Sequence, residues 1–568
     1  MNKVFTRGTL LGWSLFINLF SVFPGNTQPP APDVIFYNGN VVTVDENFSY
    51  AEAIAITGSY FSAVGSNDSV RALSGTETTE IDLADSTVLP GLMDNHIHNV
   101  GGGPEVDLSR VRTLQDALDA IAQRAQQIRP GELILTNRDW HEAQLDEQRL
   151  PLRRDLDAAA PVNPVVVVRG GHEYILNSLA LTRWNIDEST SEPIGGHISR
   201  YPDGSLNGEL VDRARLLVEL PSVEEKTLDE QIAERIADYN TLHAVGLTSI
   251  RHPGGPVEEY RLLQEMRRRG VLTMRITHLL RPRAASAIGP DAVRETLQAW
   301  GVTPREGDEW VKNGGVKIGV DGGFEGGWMR EPYAEPWDRD GTYYGINTIP
   351  REVYVPVVQE LNRLGWSVST HAVGDAGMDL ALDAYETANA ERSIVDRRWT
   401  IEHGFLPATD QFPRIRDLGV VISAQNHLYV AGPSLEKYWG RERAEWTTPV
   451  RAYLDENILI SGGTDASVVP YPPLWVIYHF ITRDTISGGP FGIDQKITRE
   501  EAVRLVTINN AYLTFEEEIK GSIEVGKLAD LVILSDDIMT CPAECIRDAD
   551  IELTMVGGQV VFKKPSGL

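Results

Sequence analysis

One unit recurs through the middle of the chain: a short run of buried-type residues, then a stretch with helical spacing, then another run. The runs fall at 165–168, 248–250, 274–278, 315–318, 367–371, 399–403, 420–423 and 459–461, with helical patterns such as 227–244 and 351–364 between them. Strands that alternate with helices pair in parallel and are covered on both faces, which predicts an α/β fold, and a (β/α)8 TIM-like barrel fits the count. Towards the two ends the pattern changes. Residues 33–88 and 510–568 show short apolar runs broken by turns, as antiparallel strands do. These β-rich ends predict a small β-sandwich domain built from both ends of the chain, with the barrel of residues 89–509 inserted into it. Extra helix near 104–160 reads as a helical insertion after the first barrel strand.

Composition narrows the function. A chain of 568 residues with 42% hydrophobic and 23% charged residues can bury a large core, and it is not low-complexity. Its 52 basic residues against 81 acidic ones give a net charge of −29, which lacks the basic footprint of a nucleic-acid binder and leaves a small molecule as the expected partner. Homo-oligomerisation stays open. The only cysteines are Cys541 and Cys545, too few for a disulfide framework or a multi-cysteine zinc site. A local disulfide and a pair of packed thiols are both open. At the N-terminus, Lys3 and Arg7 precede an apolar run at 9–23, followed by Pro24 and a Pro-rich stretch at 28–32. That order reads as a signal peptide over residues 1–27 and export to the periplasm or beyond, with an uncleaved N-terminal anchor as the alternative. The run is too short for a stable membrane span.

The chemistry-bearing residues cluster at the ends of apolar runs. In Leu89-Pro90-Gly91-Leu92-Met93-Asp94-Asn95-His96-Ile97-His98, the two histidines stand two apart, so on an extended chain both imidazoles project to one side. Chelation of a metal ion and ordinary hydrogen bonding are both consistent with that spacing. Lys317, His371, His403 and Asp465 end other runs. In a barrel the C-terminal strand ends meet at one mouth, so residues hundreds of positions apart can share one site.

These segments carry a resemblance. Residues 89–98, Gly315-Val316-Lys317-Ile318-Gly319-Val320-Asp321-Gly322-Gly323, His371-Ala372-Val373-Gly374-Asp375, Ile401-Glu402-His403, Gly463-Thr464-Asp465-Ala466 and the stretch 526–534 are similar, in this order, to the amidohydrolase superfamily. The similarity is to the branch that includes N-substituted formamide deformylase and YtcJ-like metal-dependent hydrolases, and it spans residues 34–562. It implies one or two divalent ions, Zn2+ by expectation, with His96 and His98 on the first ion, His371 and His403 on the second, and Asp465 at the last strand end. Lys317 matches the position of a bridging lysine carbamate, and a plain buried lysine is the alternative. The implied activity is hydrolysis of a carbon–nitrogen bond in an amide, N-substituted formamide or cyclic amide. An esterase or lactonase activity, and a non-catalytic barrel used as a binding scaffold, are the other readings.

With such an ion present, water ionises near neutral pH, and Asp465 is the expected base that moves its proton to the leaving nitrogen. His172, after the run 165–168, is a second catalytic candidate and a substrate contact, with Asn177, Asp321 and Gln425 as further substrate-binding candidates. The segment 321–328 departs from the stretch expected of the branch, and His252 stands where an acidic residue is expected. Trp328, Trp439 and Trp446 suggest either an aromatic pocket wall or simple packing.

Overall fold

The structure is a computed structural model. It describes residues 30–565 apart from 101–105, 222–225, 336, 338, 340, 469 and 470. The leader read over 1–27 therefore lies outside the described residues.

Eight parallel strands make the central sheet: β1 (Leu92–Asp94), β2 (Leu247–Gly255), β3 (Arg275–Leu280), β4 (Val311–Gly319), β5 (Val368–Ala372), β6 (Thr400–His403), β7 (Val421–Gln425) and β8 (Ile460–Gly463). They are hydrogen-bonded in sequence order from β1 to β8. The ring is closed by bonds at the C-terminal rim. Asn95 N–H donates to Gly462 O at 3.2 Å, Asp465 N–H to His96 O at 2.6 Å, and His98 N–H to Ala466 O at 2.6 Å. The (β/α)8 barrel expected from the sequence is thus present.

Strand parity decides what each residue can do. On β5, Thr370 points outward to the Tyr354 and Tyr385 hydroxyls at 2.6 and 2.7 Å, whereas Ser369 and His371 face the barrel axis. Outward apolar residues such as Ile401, Ile422 and Val368 join the helices in one continuous core. That burial is the main source of stability, at roughly 25 cal/mol per Å2 of apolar surface.

Two further sheets come from the ends of the chain. A four-stranded sheet is formed by Val34–Tyr37, Ala53–Thr57, Tyr60–Gly65 and Thr79–Asp82. In a six-stranded sheet, Thr87–Pro90 pairs antiparallel with Leu531–Leu534, so residues more than 440 positions apart share one ladder. A buried ion pair ties this part to the barrel: Arg275, the first residue of β3, meets Asp530 at 2.7 and 3.0 Å, and Asp530 also accepts Gly557 N–H at 2.7 Å. Cys541 and Cys545 are paired as a disulfide at the start of the short helix Ala543–Asp548.

The insertion differs from expectation. It is not only helical, and it reaches well beyond residue 160. Helices Leu114–Gln127 and Arg153–Ala159 pack with a five-stranded sheet of Ile134–Leu135, Val165–Arg169, Glu173–Leu176, Gly196–Arg200 and Leu206–Asp212. The run 165–168, read above as a barrel strand, belongs to this sheet, where it pairs antiparallel with 173–176. Leu92–Asp94 takes its place in the ring. An all-apolar strand is demanded by any sheet covered on both faces, so composition alone does not tell which sheet it joins.

Removing one partner of the Arg275–Asp530 pair leaves the other charge buried and unpaired. Asp530→Ala is expected to lower unfolding stability by about 3–5 kcal/mol, read from urea denaturation of the variant and the wild type side by side.

Candidate active site

The site is assembled from residues that accept hydrogen bonds on one side only, and their partners fix which side. His96 lies just beyond β1, with Nδ1 2.6 Å from Oε2 of Glu402 on β6. A carboxylate can only accept, so Nδ1 carries the proton and Nε2 presents a lone pair. His403, at the end of β6, places Nδ1 2.7 Å from Oε1 of Gln425, whose amide nitrogen donates to Ser423 Oγ at 2.8 Å. His371, on β5, donates from Nε2 to the Gly322 carbonyl at 3.0 Å. The remaining nitrogens, Nε2 of His403 and Nδ1 of His371, are 2.9 Å apart. With both outer nitrogens protonated, two lone pairs face each other.

Asp465 adds a negative charge to the same space. Its Oδ1 is 3.3 Å from Nε2 of His96 and 3.1 Å from Nε2 of His98, yet it is buried and makes no hydrogen bond in proper geometry. Donor atoms of His96, His403 and Asp465 all lie within 4.8 Å of one another. Converging imidazole lone pairs and a carboxylate oxygen, each oriented from behind, fit a divalent cation.

The electrostatics agree. Burial, then Lys317, lowers His96 to about 4, and burial lowers His371 and His403 well below the usual imidazole range, so all three are neutral, as metal ligation requires. Burial alone would raise Glu402, but Arg251, Lys317 and His96 hold it well below the ordinary carboxylate range. Arg251 donates to Glu402 Oε1 at 2.7 Å, and the Ser369 hydroxyl also donates to it. Burial would raise Asp465, but the neighbouring His427 and His98 hold it well below the ordinary carboxylate range. Burial lowers Lys317, on the inward face of β4, to about 7.

Two backbone positions aim these groups. By strict alternation Glu402 faces inward and His403 would face the helices. His403 instead adopts φ = +75°, in the left-handed region, and its ring turns back over the mouth. Asp465 is also left-handed, with φ = +64°. Non-glycine residues pay about 1–3 kcal/mol each for such conformations and tend to keep them at functional sites.

The structure therefore brings His96, His98, His371, His403 and Asp465 together, with Lys317 on the inward face of a neighbouring strand. His172 joins them from the insertion: its ring stacks on that of His371 with centroids 5.4 Å apart, and its Nδ1 is 2.5 Å from Oδ1 of Asp212. Three substrate-binding candidates have other work. Asn177 caps the helix Ser178–Arg183, its Oδ1 accepting from Ala180 N–H at 2.9 Å and Val165 N–H at 3.0 Å. Asp321 is buried under the N–H groups of Val373, Gly374 and Trp328, at 2.9–3.1 Å, and so pins the loop after β4 to the end of β5. Gln425 orients His403.

His252 lies outside the barrel wall, its ring stacked on His278 with centroids 4.9 Å apart. Trp439 is buried and bonded to the Phe324 carbonyl at 3.1 Å, and Trp446 to that of Pro407 at 2.7 Å.

Sequence reasoning gave no site role to Glu402, Arg251, His427 or Asp212. His427 places Nε2 3.2 Å from Oδ2 of Asp465. The only signal for it was its position four residues past the end of the apolar run 420–423. Glu402 stood within a quoted segment, masked by the histidine beside it.

A model of the amidohydrolase family matches residues 79–562. The chain belongs to this family. Over 544 residues it is 28% identical to N-substituted formamide deformylase of Arthrobacter pascens, covering 94% of this chain and 98% of that protein. It is 25% identical over 548 residues to the putative amidohydrolase YtcJ of Bacillus subtilis (strain 168), covering 93% and 99%. Among solved structures, an uncharacterized metal-dependent hydrolase from Pyrococcus furiosus has the same fold, with a TM-score of 0.62, 24% identity and coverage of 89% and 100%.

Gln425→Leu removes the acceptor that holds His403 Nδ1 and leaves the ring free to choose the wrong tautomer. Metal affinity is expected to fall about 10–100-fold with the fold retained, as measured by competition with a chromogenic chelator alongside circular dichroism.

Proposed function

We propose that this amidohydrolase cleaves a carbon–nitrogen bond of a small amide, N-substituted formamide or cyclic amide. The observation that carries the reading is the pair of facing imidazole lone pairs on His371 and His403, with the unbonded Asp465 oxygen among the same donors. One or two divalent ions, zinc by donor type, would be held by His96, His98, His371, His403 and Asp465, with Lys317, as a carbamate, adding a further anionic ligand. A divalent ion at such a site lowers the pKa of water to about 7 and polarises a carbonyl.

The chain's own residues supply the rest. Asp465 takes the proton of the attacking water and returns it to the departing nitrogen, turning an amide anion into a neutral amine leaving group. His427, against Oδ2, holds that carboxylate in line. His172, kept in place by Asp212 and by stacking on His371, offers its second ring nitrogen to the substrate carbonyl. The lowered pKa of Lys317 supports the carbamate, because carbon dioxide adds only to an unprotonated amine. Export is part of the same proposal. The basic and apolar N-terminal segment supports it, as does the Cys541–Cys545 pairing, since disulfides persist in oxidising compartments. None of the described helices is long and apolar enough to cross a membrane.

Metal analysis of protein purified without added metal, beside Asp465→Asn, tests the assignment. One or two zinc ions per chain are expected, with turnover of a panel of formamides, amides and cyclic amides reduced at least about 100-fold in the variant. No metal and unchanged turnover would reject the site. For export, the intact mass of the protein recovered outside the cytoplasm is expected to lack a leader of roughly 27 residues; a chain still starting at Met1 rejects cleavage.

A further inference from the structure

The mouth of the barrel holds positive charge that the hydrolytic site does not use. Arg281 directly follows β3, and its backbone N–H is tied to Gly255 O at 3.1 Å. A β-carbon built on Gly254 would lie 2.9 Å from Cβ of Lys317 and 3.3 Å from Cβ of Arg281, so these two side chains leave the wall together. A β-carbon built on Gly319 would lie 3.9 Å from Nη2 of Arg281 and 3.7 Å from Cβ of His371. The guanidinium therefore reaches the end of β4, beside one of the converging imidazoles.

Among the described residues, nothing neutralises it. Arg281 is half-buried, and only unbonded charges act on it: Arg283 and Arg215 repel it, and Asp465 attracts it. Asp465 lies among the imidazoles of His96, His98 and His427, at 3.1–3.3 Å, and no hydrogen bond or ion pair joins it to the Arg281 side chain. Arg283 is exposed, and Arg215 spends one nitrogen on the Asp212 carbonyl at 3.2 Å. Burial first, then the other two arginines, lowers Arg281 to about 9. Other arginines in this acidic chain have partners within the fold: Arg330 meets Asp379 and Asp410, Arg414 meets Asp383 and Glu386, and the buried Arg483 donates to the carbonyls of Phe491, Thr448 and Thr447. With 81 acidic residues against 52 basic ones, a triad of unmatched arginines at the mouth is not a shortage of partners. It is a site whose counter-charge comes from outside, and a guanidinium fork matches a planar carboxylate.

We propose that Arg281, backed by Arg283 and Arg215, binds a carboxylate on the substrate, so that the compounds hydrolysed are N-acylated or N-formylated amino acids rather than neutral amides. This rests on the carbon–nitrogen hydrolase reading above.

The test uses metal-loaded enzyme and pairs that differ only in the carboxylate: N-formylphenylalanine with N-formylphenethylamine, and N-acetylphenylalanine with N-acetylphenethylamine. Wild type is expected to favour the acid by at least about tenfold in kcat/KM. Arg281→Met is expected to raise KM for the acid by a similar factor and to leave the neutral compound unchanged, with Arg281→Lys intermediate. Equal values for acid and neutral compound in wild type, or an equal loss on both in Arg281→Met, would overturn the proposal. If neither member of a pair is turned over, the hydrolase reading fails on these compounds, and calorimetric binding of N-formylphenylalanine still decides the subsite. Binding at least tenfold weaker in Arg281→Met supports it; equal binding, or none to wild type, overturns it.

Discussion

Electrostatic repulsion among lone pairs organises this molecule. Imidazole nitrogens of His96, His98, His371 and His403 and an oxygen of Asp465 meet at the mouth of the barrel, with His371 and His403 facing each other at 2.9 Å. Left alone, such a set would rotate apart or protonate. It is held because each outer partner is itself buried and braced: Glu402 by Arg251 and Ser369, Gln425 by Ser423, and the Gly322 carbonyl by its loop. The fold supplies rigidity at the point where the chemistry needs repelling groups to stay close, and a cation relieves the repulsion.

The elements around the barrel serve the same end. The insertion is a small α/β unit with its own apolar clusters, and it delivers His172 and Asp212 to the mouth. Asp321, buried beneath three backbone N–H groups, binds the loop after β4 to the strand end that carries His371. At the opposite end of the barrel, the Arg275–Asp530 pair docks the sheet built from both chain ends. The arginines at the mouth stand apart from these braced groups. They are held in place but not neutralised, which suits residues that act on something that comes and goes.

Much of this was legible in the residue order, and the exceptions have physical causes. The pair His96 and His98 could be read because an extended chain repeats its facing every two residues. His403 could be read from its place at the end of an apolar run, whereas parity alone would have chosen Glu402 and sent His403 outward; a backbone turn at φ = +75° places both. The run 165–168 was taken for a barrel strand because burial on both faces looks the same in any covered sheet. Its antiparallel pairing with 173–176 depends on a turn and on partners that composition does not name. Asn177 and Asp321 looked like substrate contacts because polar residues near strand ends often are, but backbone N–H groups claim them first.

The sequence by itself determined the alternation of strand and helix, the positions of the candidate donors at strand ends, and the excess of acidic charge. These are local properties, set by periodicity and composition within a few residues. Tertiary structure alone decided which nitrogen of each histidine is bare, which carboxylates brace and which face the open mouth, and which arginines lack a partner. Each of those depends on an atom supplied from tens or hundreds of residues away, and a hydrogen bond is settled only by what it finally meets.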